Sequence, residues 1–196
     1  SYNLLNERDV VMPSFGMISF AAVYTDKRNI PELAAALLEN NTVDFISYLD
    51  EEQIIVENKR GKSNLKTKYE FLESRPKFKY GLIEGEDPLH YQQIFQVLCQ
   101  QGLADLDGFI DEVTLFLATN DHYYPSALPR LHGAFFQNKS PGDILISLKN
   151  GYYNGKKNLE KIIDIYSTHG NLTASSSTGF SLYTGPKHLP TSSMVY

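Results

Sequence analysis

Residues 142–148 read GDILISL and follow directly on Pro141. The run is strongly apolar, and the Pro141-Gly142 pair punctuates its start, so it reads as a β-strand. A second apolar run, residues 16–25 (GMISFAAVYT), is partly β-branched and reads as a buried strand. These two runs are expected to share one sheet. A short stretch near the C-terminus, residues 180–183 (FSLY), reads as its final strand.

The segments between the two apolar runs fill in the remaining elements. Residues 26–29 form a polar turn. Pro31 then stands where a first helical turn accepts proline, and residues 31–39 (PELAAALLE) read as a helix. Residues 42–49 (TVDFISYL) are rich in strand formers. Residues 53–58 and 62–68 flank Lys59-Arg60-Gly61 and read as a hairpin, and residues 77–83 as another short strand. Residues 90–101 place Tyr91, Ile94, Phe95 and Leu98 at helical spacing, with Gly102 as a stop. Residues 108–118 and 125–136 read as two further helices. The Ser/Thr cluster at residues 174–178 reads as a surface loop. Strands and one helix, then helices, then strands again make an α/β or α+β domain. Residues 1–196 are expected to form one such domain.

Composition excludes several classes. The chain has 196 residues, a formal charge of −5, 42% hydrophobic and 21% charged side chains. That length can bury a substantial core without covalent staples. A single cysteine, Cys99, makes neither an intramolecular disulfide nor a cysteine-rich zinc module. A mildly acidic chain lacks the basic surface that nucleic-acid polymers require. No apolar run approaches the roughly 20 residues of a membrane span, and no signal peptide is visible.

Catalytic motifs are sparse. There is no P-loop, no GxGxxG and no GxSxG. The histidines are His90, His122, His132, His169 and His188, and none stands in an HExxH or HxH pair. Asp121-His122 and His132 read as polar positions around a helix entrance. Cys99 falls on the apolar side of its helix and reads as a buried, inert thiol. Tyr123-Tyr124 and Tyr152-Tyr153 read as core and rim. Asn40, Asn138 and Asn171 each begin an N-x-S/T triplet. One segment stands apart: residues 167–172, STHGNL. A neutral imidazole is a good zinc ligand, and the glycine after it lets the backbone turn closely around an ion.

Three fragments in order carry a family resemblance: GDILISLKNGYY (142–153), STHGNL (167–172) and FSLYTGP (180–186). Together they resemble the C-terminal part of the alkaline phosphatase superfamily, in its type I phosphodiesterase and nucleotide pyrophosphatase branch. Softer matches lie upstream, at residues 52–56, Gly61-Lys62, Tyr80, 85–89 (GEDPL), Tyr124-Pro125 and Ala127-Leu128. The resemblance spans residues 43–190. It implies an α/β fold with a mixed sheet and flanking helices, here only its C-terminal part. It implies that His169 is a ligand of one of two catalytic metals, usually zinc, which clamp the oxygens of a phosphoester displacement. It implies a Ser or Thr nucleophile and further Asp and His ligands from an N-terminal half.

This sequence departs from the family at that point. It has no SDHG-like motif, since Asp121-His122 is followed by Tyr123. One imidazole cannot hold a catalytic zinc alone. The chain is therefore expected to be a fragment of a longer hydrolase, with Ser1 in place of an initiator Met, inactive and without tightly bound zinc by itself. Its expected partners are the N-terminal catalytic half of the same polypeptide and a phosphoester substrate. The alternatives are a non-catalytic binding domain that keeps the fold, and a small self-sufficient hydrolase using Asp121, His122, His132 and His169. The compartment stays open.

Overall fold

The computed structural model describes residues 6–14, 18–70, 75–155 and 169–177. The chain begins with β1 (Val10–Val11), β2 (Phe20–Thr25), a 3-10 turn (Lys27–Asn29) and α1 (Ile30–Glu39). A four-strand run follows: β3 (Val43–Asp50), β4 (Gln53–Asn58), β5 (Gly61–Lys68) and β6 (Lys77–Gly85). Then come α2 (Gln92–Gln100), β7 (Ile110–Asp111), α3 (Glu112–Thr119), α4 (Ala127–Phe136), β8 (Ile144–Leu148) and α5 (Ala174–Ser177).

Among the described residues, eight strands form one sheet in the order β1-β2-β8-β3-β4-β5-β6-β7. The apolar run at residues 142–148 supplies β8, with β2 on one side and β3 on the other. All five of its residues are buried. Alternate side chains serve two cores: Leu145 joins the cluster under α2, α3 and α4, while Ile144, Ile146 and Leu148 join the cluster under α1. That is why the strand reads as a continuous hydrophobic run rather than an alternation. Burying each of these side chains is worth about 1.5–3 kcal/mol.

Both neighbours of β8 run antiparallel to it, so β2 and β3 are parallel to each other with β8 between them. Helix α1 makes the crossover and buries Ile30, Ala34 and Leu38, four residues apart each time. The strand pairs are antiparallel throughout. The expected mixed sheet is thus met only at one isolated parallel bridge among the described residues, Ile18 to His169.

The β4–β5 hairpin forms where expected, and its turn is tied by Asn58 Oδ1, which accepts from the amides of Arg60 and Gly61. The Arg60 carbonyl accepts from Glu86 N at 2.9 Å, so the hairpin tip packs backbone to backbone on the end of β6. A Cβ on Gly85, whose φ is +68°, would lie 2.1 Å from that same carbonyl. Glycine is required there.

Four expectations need correction. Residues 108–118 are not one helix: Ile110 and Asp111 pair with Phe78 and Lys77 of β6, and α3 starts only at Glu112. Asp111 caps α3 by accepting from Thr114 N at 2.9 Å, and its extended backbone ends the strand and starts the helix at one residue. Residues 174–177 form a helical turn rather than an open loop. Cys99 is exposed, not buried, because Phe95 and Leu98 define the inward face of α2. His132 is no helix-entrance residue; it lies within α4, facing the core at 2% exposure. The strand expected at residues 180–183 lies outside the described residues.

Candidate functional site

His169 begins a loop that lies against the C-terminal end of β8 and the approach to β2. Its carbonyl accepts from Ser19 N at 2.7 Å, and its backbone bridges Ile18. Ile18 is also bridged by Asn154, whose amide donates to the Ile18 carbonyl at 2.8 Å. Gly170 follows at φ +104°, and a Cβ there would stand 2.6 Å from Ile18 Cγ2. The glycine of the THG triplet thus has a physical reason: it lets the loop press onto β2's lead-in.

The next residues form a buried polar network. Asn171 is 1% exposed and Thr173 fully buried. The Asn171 amide nitrogen donates to the Leu148 carbonyl at 3.0 Å and to Asn150 Oδ1 at 2.9 Å. Its oxygen accepts from the Thr173 hydroxyl at 2.8 Å. Thr173 Oγ1 also lies 3.0 Å from Asn150 Oδ1. From α4, Arg130 donates to the carbonyls of Asn171 and Leu172 at 3.0 and 3.2 Å, and to Ser177 Oγ at 2.7 Å. The His169 side chain itself is exposed, and its ring makes no hydrogen bond to a described residue. One imidazole is thereby offered outward on a fixed backbone.

The other sequence candidates do not join it. His132 hydrogen-bonds to the Tyr69 hydroxyl through Nε2 at 2.7 Å and packs among the rings of Phe78 and Phe136. Its Nδ1 is buried without a hydrogen-bond partner, and burial holds its pKa below the ordinary value. His122 Nδ1 accepts from Tyr124 N at 3.1 Å, and the ring meets Tyr91 edge-on at 5.0 Å. Burial lowers its pKa as well. Asp121 is exposed. Among the described residues no three His, Cys, Asp or Glu side chains are grouped to hold a metal ion. His90 is exposed on the turn before α2 at φ +58°, and His188 lies outside the described residues.

Two arrangements escape sequence reasoning. Asp44 sits where the β3–β8 register shifts, between Val43 and Phe45. It accepts from the Tyr124 hydroxyl at 2.9 Å, and burial raises its pKa, opposed by that hydrogen bond and by the charges of Lys149 and His90. An acid inside the strand-forming run TVDFISYL was the available signal. The Asn150–Asn171–Arg130 network is the other, and no motif announces it. The N-x-T triplet at Asn171 belongs to this network: the amide nitrogen that a glycan would need is already engaged and buried.

No protein family, curated protein or solved structure matches this chain.

Proposed function

We propose that this chain is the C-terminal portion of a metal-dependent phosphatase- or phosphodiesterase-like hydrolase, in which His169 contributes one metal ligand. The observation that carries the reading is the His169-Gly170 loop: an outward imidazole on a backbone held by Ser19 and Ile18 at the end of β8. The ordered resemblance of residues 142–153, 167–172 and 180–186 supplies the family. A catalytic zinc needs about three protein ligands at one point. The described residues offer one, so they do not by themselves fit the metal, and on this reading the remaining ligands and the nucleophile come from residues beyond those described.

The test uses the polypeptide encoded by the whole gene. Zinc content and hydrolysis of a chromogenic phosphodiester are measured for the parent protein and for His169→Ala. The substitution should lower both at least tenfold, with the urea midpoint of the metal-free protein unchanged because the side chain is exposed. The 196-residue chain alone should show no turnover. Unchanged metal content and activity in His169→Ala would favour the other reading, a non-catalytic binding domain that retains the fold. Turnover by the 196 residues alone would sink both.

A further inference from the structure

We propose that Asp44, His122 and Tyr123 form a binding site for a neutral ligand rich in hydroxyl groups, the chemistry of a sugar. This site is independent of His169 and of the hydrolase reading. Four parts of the chain meet at this end of the sheet. Asp44 stands at the register shift near the start of β3. The turn before α2 brings His90, the loop between α3 and α4 brings His122, Tyr123 and Tyr124, and Lys149 follows directly on β8. Lys149 and His90 lie near enough for their charges to act on Asp44, and the Asp44 charge acts in turn on Tyr123. Of the described non-glycine residues with left-handed backbone, His90 at φ +58° and Ser126 at φ +48° lie in the segments leading into α2 and α4. Strain of that kind persists only where surrounding contacts hold it, and it concentrates at functional sites.

Each of the three side chains is held in place, and each leaves a function open. Tyr124 ties them together: its hydroxyl donates to Asp44 Oδ2 at 2.9 Å, and its amide donates to His122 Nδ1 at 3.1 Å. The first bond leaves Asp44 Oδ1 as an acceptor without a partner among the described residues. The second fixes the tautomer. With Nδ1 accepting, the neutral ring carries its proton on Nε2, a donor without a partner among the described residues. Burial lowers the His122 pKa, which keeps the ring neutral at pH 7. Tyr123 supplies a flat face. The residue is 54% exposed, yet its ring stands 4.7 Å from the Tyr124 ring at 80°, and buried Phe45 meets Tyr124 edge-on at 5.6 Å. The Tyr123 carbonyl accepts from Ala174 N at 2.8 Å, which fixes the backbone beneath the ring.

The charges around the site select the ligand. A cation would meet Lys149, whose charge reaches Asp44, and Arg60, whose charge reaches Tyr124. An anion would meet the carboxylate of Asp44 and that of Asp87, whose charge reaches His122. Neither sign gains from a field of both. A hydroxyl donates and accepts at once. One ligand carrying several can therefore serve the open Asp44 oxygen and the His122 Nε2–H, which lie toward opposite ends of Tyr124. The C–H face of a sugar ring is apolar and can cover the Tyr123 ring, a rigid side chain with little conformational entropy to lose. A few placed polar groups beside an aromatic face are what orient a small ligand.

The test is an NMR titration of the 196-residue chain with glucose, galactose, mannose and N-acetylglucosamine. Each is taken to about 50 mM, which covers the millimolar dissociation constants expected of so few contacts. At least one sugar should give saturable shifts at the amides of His122, Tyr123 and Tyr124, with Val56 in β4 unmoved. Tyr123→Ala should weaken binding about tenfold or more, whereas Tyr123→Phe keeps the ring and should stay within about twofold of the parent. Asp44→Asn can still accept from the Tyr124 hydroxyl but turns a donor toward the ligand, and should weaken binding about tenfold. Far-UV circular dichroism checks that each variant keeps the parent's fold. No saturable shift with any of these sugars, or sugar shifts that survive Tyr123→Ala, overturns the proposal. So does saturation of the same amides by inorganic phosphate or tetramethylammonium at a lower concentration than by any sugar.

Discussion

Replacing Asn171 by alanine tests whether the loop is built by its buried polar network. Four hydrogen bonds end on this side chain: two donated to the Leu148 carbonyl and Asn150 Oδ1, and two accepted from the Thr173 amide and hydroxyl. The Thr173 amide is 3.3 Å away, so that bond is weak. A typical buried hydrogen bond contributes about 1 kcal/mol net, and leaving partners unpaired adds desolvation cost. The alanine variant should lose about 3 kcal/mol, a large share of the roughly 5–15 kcal/mol that holds a domain together.

Urea unfolding followed by far-UV circular dichroism and tyrosine fluorescence reads this loss; the chain has 13 tyrosines and no tryptophan. With a slope of about 2 kcal/mol per molar urea, the midpoint should fall by about 1.5 M at constant slope. Asn171→Asp keeps the shape but sets a charged oxygen against the Leu148 carbonyl and Asn150 Oδ1. It should cost at least as much, which separates lost hydrogen bonding from lost volume. A midpoint within about 0.3 M of the parent for the alanine variant would show that these bonds do not hold the fold.

The buried histidines set a pH dependence. In the unfolded chain a histidine titrates near 6.5, while burial keeps His132 and His122 below that in the folded chain. Unfolding therefore takes up protons as pH falls, so stability is full above about pH 7 and declines through 6.5 toward the lowered folded values. The slope contributed by each group is at most about 1.4 kcal/mol per pH unit. His132→Phe should flatten the pH 5–7 part of a urea-stability profile, and a slope equal to the parent's would contradict the assignment. Gly85→Ala should destabilise by more than about 3 kcal/mol, because its Cβ meets the Arg60 carbonyl at 2.1 Å on top of a left-handed backbone. Gly102→Ala has φ +73° but nothing within 4 Å, and should cost only about 1 kcal/mol; thermal melts that rank the two alike would undo the steric argument. Native Cys99 should react fully with a chromogenic disulfide reagent in the absence of denaturant, since it is exposed. A thiol that reacts only in urea would contradict its placement.

Most of the elements were legible because local rules decide them. Apolar continuity marks β8, Pro31 marks the start of α1, and the spacing of Tyr91, Phe95 and Leu98 marks the inner face of α2. The same spacing misplaced Cys99, because a helix's apolar stripe has a width and Cys99 lies just past it. The β7–α3 junction was misread since two residues of pairing with β6 carry no periodic signal. In the site, His169 and Gly170 were visible as a short motif. Arg130 and Asn150 were not, being 39 and 19 positions away from His169 in a chain with no pattern that links them.

By itself, then, the amino-acid sequence determined which segments become strands and helices, which side chains are apolar enough to face a core, and that a histidine-glycine pair stands after the apolar run of residues 142–148. These follow from short-range sterics and from water's rejection of apolar surface, both written into neighbouring residues. The tertiary structure alone decided that β8 enters between β2 and β3, that His132 and His122 are spent on packing, and that Asn150, Asn171 and Arg130 converge behind His169. Those outcomes depend on which buried polar groups find partners across the chain. That is settled only when the sheet and its helices have closed around them.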